Sequence, residues 1–175
     1  YALRTLREVQ WREAADGSFK LALALDDDNL IECAYLPSSA TRGTVCVSTQ
    51  VGCAMGCLFC ASGARGLVRN LRPHEMVEQV LLVGDRLGDR ERLSNVTFMG
   101  IGEPLANFDA LAAALERLND SPLGLGIGAR RITVSTCGLT AGIRRLADLG
   151  RQFHLAVSLH APTDELRARL VGPAA

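Results

Sequence analysis

The chain has 175 residues, 48% hydrophobic and 22% charged, which is enough to bury a core and too apolar for a disordered tail. Its 19 basic and 19 acidic residues cancel to zero formal charge, which argues against a general polyanion binder and leaves room only for a local basic patch. No apolar run reaches the ~18 residues of a membrane span, and the opening "YALRTLREVQ" lacks the apolar stretch of a secretory signal, so a cytoplasmic protein without membrane contact is expected.

Residues 18–25, "SFKLALAL", alternate in hydropathy and predict a strand. "DDDN" at 26–29 supplies a polar turn, and "LIECAYLP" at 30–37 predicts the returning strand, giving a hairpin over roughly 10–37. "SSATRG" at 38–43 reads as a connector. Residues 1–40 are thus expected to form an N-terminal extension, and 41–175 a core.

From residue 44 the pattern becomes strand, loop, helix, repeated. "TVCVSTQV" predicts the first strand, and "PHEMVEQVLLVGDRL" its helix, with Pro73 near the start and Val77, Val80 and Leu81 on one face. "LSNVTFMG" predicts the second strand and "NFDALAAALERL" its helix, with Asn107 as N-cap and Phe108, Leu111, Leu115 and Leu118 along one side. "RRITVST" predicts the third strand, followed by a helix from Thr140 to Gly150. "FHLAVSLH" and "TDELRARLV" predict a fourth pair. Short, apolar, β-branched strands alternating with helices indicate an α/β fold with a parallel sheet, as an open doubly wound sheet or a barrel. In both, ligands gather at the carboxyl ends of the strands.

"VGCAMGCLFCASG" at 51–63 places Cys53, Cys57 and Cys60 in C-x3-C-x2-C spacing. A chain of this size without an export signal has little need of disulfides. A structural zinc site takes four ligands, usually from paired knuckles; no second pair exists here, although Cys137 could supply a fourth ligand. A thioredoxin-type pair at Cys57 and Cys60 would leave Cys53 unexplained. Thiolates are the usual ligands of a [4Fe–4S] cluster, and three of them leave one iron open. With Phe59 in its aromatic place, the loop resembles the signature of the radical S-adenosylmethionine (SAM) superfamily. The resemblance implies a [4Fe–4S] cluster on Cys53, Cys57 and Cys60 and a fold of partial (β/α) barrel type. It also implies that the open iron chelates SAM and that one electron cleaves its carbon–sulfur bond to a 5′-deoxyadenosyl radical.

Polar residues stand at the other strand ends: "GIGEP" with Gly100, Gly102 and Glu103, "STCG" with Ser135, and "SLHAP" with Ser158, Leu159 and His160. The fold rule brings them to one rim. Each has a plain alternative. The glycines can simply turn the chain, and Glu103 can be a solvated acid instead of a partner for the SAM ammonium. The serines can be satisfied strand-end hydroxyls, and His160 can pair with Asp164. Neither "GIGEPL" nor "GLGIGA" has the context of a dinucleotide fingerprint.

"CVSTQVGCAMGCLFCASGARGLVRNL", "NVTFMGIGEPLANFD", "RRITVSTCGL" and "LAVSLHAPTDELR" together resemble the RlmN/Cfr family of RNA methyltransferases, in order and from about residue 30 onward. The resemblance implies methylation of C2 of adenine in 23S rRNA and tRNA, through a methylated cysteine. It implies that Gly102, Glu103, Ser135, Ser158, Leu159 and His160 contact SAM. Glu32 would accept the proton from the ring carbon, and Cys46 would release the RNA adduct by forming a disulfide. On pattern alone Glu32 is an exposed strand acid and Cys46 a small buried hydrophobe. A low-potential electron donor such as flavodoxin or ferredoxin is implied, and no oligomer is expected. Cys33 and Cys137 are taken as structural. Arg65, Arg69 and Arg72 either meet RNA phosphates or solvate a loop.

The residues depart from the family pattern in extent. Tyr1 is not an initiator methionine, the methyl-carrying cysteine is absent, and about four of six β/α units are counted, so a truncated core, inactive alone, is expected. Three rival readings stand beside the first: C8 methylation of the same rRNA base, a radical SAM activase or mutase on a non-RNA substrate, and a zinc-stabilised RNA-binding module.

Overall fold

The computed structural model describes residues 4–88, 93–120, 122 and 124–171. The strands are β1 (Arg7–Glu13), β2 (Phe19–Ala24), β3 (Leu30–Ser39), β4 (Arg42–Cys46), β5 (Gln50–Gly52), β6 (Leu67–Asn70), β7 (Leu93–Phe98), β8 (Ile132–Thr136) and β9 (His154–Val157). The helices are α1 (Pro73–Leu87), α2 (Phe108–Asn119), α3 (Thr140–Asp148) and α4 (Asp164–Leu170). Seven strands form one mixed sheet in the order β1-β2-β3-β4-β7-β8-β9, and β5 pairs with β6 separately. β1 to β4 are mutually antiparallel, and β4, β7, β8 and β9 run parallel. The result is an α/β half-barrel with four β/α units, joined to an antiparallel extension through one continuous sheet.

The extension is larger than the expected hairpin. β1, "REVQWRE", adds a third strand, paired with β2 from Arg7↔Ala24 to Glu13↔Phe19. All seven of its residues are exposed, so it carries no alternating apolar signal to read. The expected first core strand is also split. Its ladder ends at Cys46, and β5 resumes at Gln50.

Register divides the sheet into two faces. Ala34, Cys46, Thr97, Thr133 and His154 are successive partners across β3, β4, β7, β8 and β9 and share one face. That face carries small and polar side chains. The other carries Ile31, Cys33, Tyr35, Val45, Val96, Phe98, Ile132 and Val134, all buried under the helices. Met76, Val80 and Val83 of α1 and Leu111, Ala114, Leu115 and Leu118 of α2 complete this core. The expected stripe on α1 is shifted: Val80 is buried, Val77 is only partly so, and Leu81 is exposed. α3 packs at Gly142, where an added Cβ would lie 2.6 Å from Leu105 Cβ. α3 ends as expected, with Gly150 in the left-handed region at φ 63°.

Two buried carboxylates fasten the extension to α1. Glu78 accepts from the backbone N–H of Thr5 (2.8 Å) and Leu6 (3.0 Å). Glu75, 1% exposed, takes a two-point ion pair from Arg69 with both N–O distances at 2.9 Å, plus the Arg72 N–H at 2.7 Å. Arg69 also donates to Asp27 in the β2–β3 turn at 2.6 Å. Burial pushes the Glu75 carboxyl up from its ordinary 4.5, but the Arg69 and Arg72 hydrogen bonds outweigh it and hold the group below that value. Because its folded pKa is depressed, Glu75 contributes stability above its unfolded pKa and loses it as pH falls through the folded one. Arg69→Met strands this buried carboxylate. Urea unfolding at pH 7 is expected to show a loss of about 3 kcal/mol, with a shallower further loss on acidification than the parent shows. Unchanged stability at pH 7 would refute the role given to the pair.

Candidate functional site

The site begins with a buried polar clasp. After β4 the chain enters Ser48, Thr49 and Gln50, which are at most 1% exposed. Such groups need partners, and most find them. Ser48 N–H donates to Gln79 Oε1 (2.8 Å), and Gln79 Nε2 returns to Ser48 O (3.1 Å). Ser48 Oγ donates to Glu32 O (2.5 Å) and accepts from Ile101 N–H (2.9 Å). The N–H groups of Thr49 and Gln50 share Ile101 O at 2.8 and 3.1 Å. Gln50 Oε1 accepts from Glu103 N–H (2.8 Å), and its Nε2 donates to Asn70 (2.8 Å). Asn107 stands at the N-cap of α2 as expected, yet its side chain does not cap. It donates to Thr49 O (2.9 Å) and Leu71 O (2.8 Å) instead.

The clasp requires glycine at two places. An added Cβ at Gly100 would lie 2.8 Å from Ser48 N and Val47 C. At Gly102, φ is 109° and a Cβ would lie 2.6 Å from Gln50 Cβ. Both glycines therefore let the β7 end press against the root of the cysteine loop.

The loop itself is closed at its base by Cys53 N–H to Gly66 O (3.0 Å) and by the β5–β6 ladder. Gly63 lies over Gly56, where a Cβ would lie 3.3 Å from Cα. Cys53 is buried with Met55, Cys137 and Val171, and Cys57 packs against that group. Burial pushes the Cys53 thiol up, and Cys57, Cys60 and Glu103 are near enough to add to the effect. The three cysteines and Glu103 thus occupy one neighbourhood. Among the described residues, no three His, Cys, Asp or Glu side chains converge on a single metal ion, as tetrahedral zinc would require. A cubane distributes its thiolates over separate irons, so the soft donor set on this loop fits one. Cys137 Sγ donates to Met55 Sδ at 3.2 Å, and burial followed by the Glu103 carboxylate pushes its thiol up to about 12. All six cysteines are free.

Glu103, 4% exposed, is not the solvated acid of the plain reading. Oε1 takes Leu105 N–H (3.0 Å) and Oε2 takes Cys137 N–H (2.8 Å), and the Cys137 thiol lies against the same carboxylate. Ser135 Oγ and Ser158 Oγ face each other across β8 and the end of β9 at 3.5 Å. His160 has φ 60° and stacks on Phe59 with ring centres 4.5 Å apart, so its neighbour is the aromatic of the cysteine loop. Leu159 beside it is exposed. Leu58 N–H bonds to Leu170 O (3.0 Å), tying the loop to the end of α4.

Glu32 and Cys46 share the polar face, since Cys46 opposes Ala34 and Glu32 lies two residues along the same strand. Glu32 is half-exposed and pairs with Lys20 at 3.2 Å. Cys46 is partly buried, which pushes its thiol up; the Met99 backbone N–H opposes this. Arg69, expected either to meet RNA or to solvate a loop, does neither, because Glu75 and Asp27 occupy it. Sequence reasoning missed Gln50 and Gln79 and gave Asn107 only the role of an N-cap. The only available signal was a polar triplet, "STQ", inside an otherwise apolar strand.

The radical SAM superfamily model matches residues 47–174. A "Probable dual-specificity RNA methyltransferase RlmN" of Rhodopirellula baltica is 48% identical over 98% of this chain and 46% of its own length. The "Dual-specificity RNA methyltransferase RlmN" of Nitratidesulfovibrio vulgaris strain Hildenborough is 46% identical over 99% of this chain and 50% of its own. The crystal structure of a radical SAM methyltransferase from Sphaerobacter thermophilus superposes with TM-score 0.92 at 45% identity, covering 97% of this chain and 50% of that one. The chain spans about half the length of the relatives it matches.

Alanine at Cys53, Cys57 or Cys60 is expected to abolish retention of iron and sulfide after anaerobic reconstitution. Cys137→Ala is expected to keep both, since its sulfur serves packing. Iron and sulfide assays decide this, and equal loss in Cys137→Ala would make Cys137 a ligand.

Proposed function

This chain belongs to the radical SAM superfamily, and we propose that it forms the core of an enzyme that methylates C2 of adenine in 23S rRNA and in tRNA. One observation carries the reading: Glu32 and Cys46 lie on the same face of the sheet, two residues apart in register, in the chain that also carries the three-cysteine loop. An activase or mutase would give neither residue a task. We assign residues 1–40 to an extension and 41–175 to the core, with the join inside one sheet.

The family's [4Fe–4S] cluster and SAM, when bound, supply a hydrogen-abstracting radical and a methyl group. Cys53, Cys57 and Cys60 hold the cluster. Gly102, Ser135, Ser158, Leu159 and His160 would line the SAM site, and the Glu103 carboxylate would pair with its ammonium. Glu32 takes the proton from the ring carbon, and its Lys20 partner holds the carboxylate in place. Cys46 attacks the carrier cysteine, which lies outside these residues. As the S–S bond forms, the carbon–sulfur bond to the adenine-borne methylene breaks, its electron pair stays on that carbon, and a proton completes the methyl group. Burial pushes the Cys46 thiol up, and the thiolate is the attacking form. The electron comes from a low-potential donor such as flavodoxin or ferredoxin, and the enzyme works as a cytoplasmic monomer. No helix among the described residues is long and apolar enough to cross a membrane.

The test uses the intact, reconstituted enzyme. Cys46→Ala is expected to accumulate RNA-linked protein, seen as a slow band that ribonuclease removes, while the parent yields 2-methyladenine by mass spectrometry of digested RNA. Iron-replete Cys46→Ala protein with no adduct would overturn the RNA reading, and 8-methyladenine from the parent would overturn the C2 assignment.

A further inference from the structure

Beside the cysteine loop lies a groove of about 380 Å³ that the roles above leave unused. It runs between the β2–β3 turn and the β5–β6 hairpin, with Asn29, Leu30, Val51, Arg65, Val68 and Ile101 among its walls. Its volume lies at the small end of ligand-sized cavities, about 300–1,000 Å³, which suits one nucleoside and is too narrow for a helix. Two features make the walls unusual. Leu30 and Val68 are each 58% exposed, although the same short segments bury Ile31 and Leu71. Arg65 is exposed at the same groove and, among the described residues, carries no salt bridge, whereas Arg69 in the next strand is fully engaged by Asp27 and Glu75. Asp28, also in the lining, reaches Arg7 at 3.7 Å.

The position is informative as well. Leu30 and Glu32 alternate onto the same face of β3. Ile101 is joined to the Glu32 backbone through the Ser48 hydroxyl. The groove therefore adjoins the cysteine loop at Ala61, Ser62 and Arg65 and lies two residues along β3 from Glu32, whose side chain lines a separate hollow with Lys20.

We propose that this groove seats one nucleotide of the RNA substrate, its base against Leu30, Val68 and Ile101 and its phosphate on the Arg65 guanidinium. The pairing is complementary: flat apolar walls for a base, an amide at Asn29 for its edge, and a fork of donors for phosphate. This inference rests on the RNA-modifying reading and adds to it the place where the strand is gripped. It accounts for a chain of zero net charge binding RNA, because one uncommitted cation at the right spot positions the strand without a basic surface.

The test measures binding of a fluorescently labelled RNA stem-loop, containing the target adenine, to intact reconstituted enzyme across a salt series. Arg65→Gln is expected to weaken binding about tenfold at low salt and to reduce the slope of log K against log salt by about 1. Val68→Asn is expected to weaken binding several-fold with the slope unchanged. Both variants should keep the parent's iron content and SAM affinity. Parent-like RNA binding by both iron-replete variants overturns the groove, and so does lost SAM affinity with RNA binding intact, which would assign the groove to the cofactor. A parent enzyme that fails to bind the RNA overturns the RNA reading itself, a result distinct from either.

Discussion

Three polar residues buried at the end of β4 are the constraint on which the site depends. Ser48, Thr49 and Gln50 stand where a parallel strand would ordinarily continue with apolar residues. Their hydrogen bonds reach Glu32, Gln79, Ile101, Glu103 and Asn70. A buried polar group left without a partner costs about 1–3 kcal/mol, so any shift of one contact exposes its neighbours to that penalty. The clasp therefore behaves as a unit. It bends the chain out of the main sheet and launches β5. It also fixes the GIGEP turn against the root of the cysteine loop. Gly100 and Gly102 are the steric condition for this, since side chains there would overlap the triplet itself.

What the sequence made legible follows from the same physics. Parallel strands covered by helices are short apolar runs, and helices of the 3.6-residue period sit between them, so the four β/α units could be read in order. The rule that ligands gather at carboxyl strand ends then brought Glu103, Ser135 and Ser158 to one rim before any coordinates were known. β1 escaped because its side chains are all exposed and carry no periodic burial. The clasp escaped for a different reason. A glutamine or asparagine shows in sequence only that it is polar, and nothing local tells that Gln50 bonds to residues 20 and 53 positions away. Arg69 was ambiguous in the same way: its partners, Asp27 and Glu75, come from elements on either side of it.

The arginines divide by environment. Arg69, Arg86 and Arg145 are held by carboxylates, and Arg86 and Arg145 also lie over Trp11 and Phe108. These contacts join elements far apart in sequence. The face shared by Cys46, Thr97, Thr133 and Ser135 is lined by small polar side chains there, and its charged groups, Glu32 and Lys20, stand towards the antiparallel strands and pair with each other.

The link between Leu58 and Leu170 has a consequence for biogenesis. The cysteine loop is encoded early, yet part of its support, including the fully buried Val171, is made from the last described helix. A ribosome that has released only β7 and α2 presents the three thiols on a loop that still lacks one wall. The pocket around Cys53 is therefore walled only once the fourth β/α unit has emerged and docked.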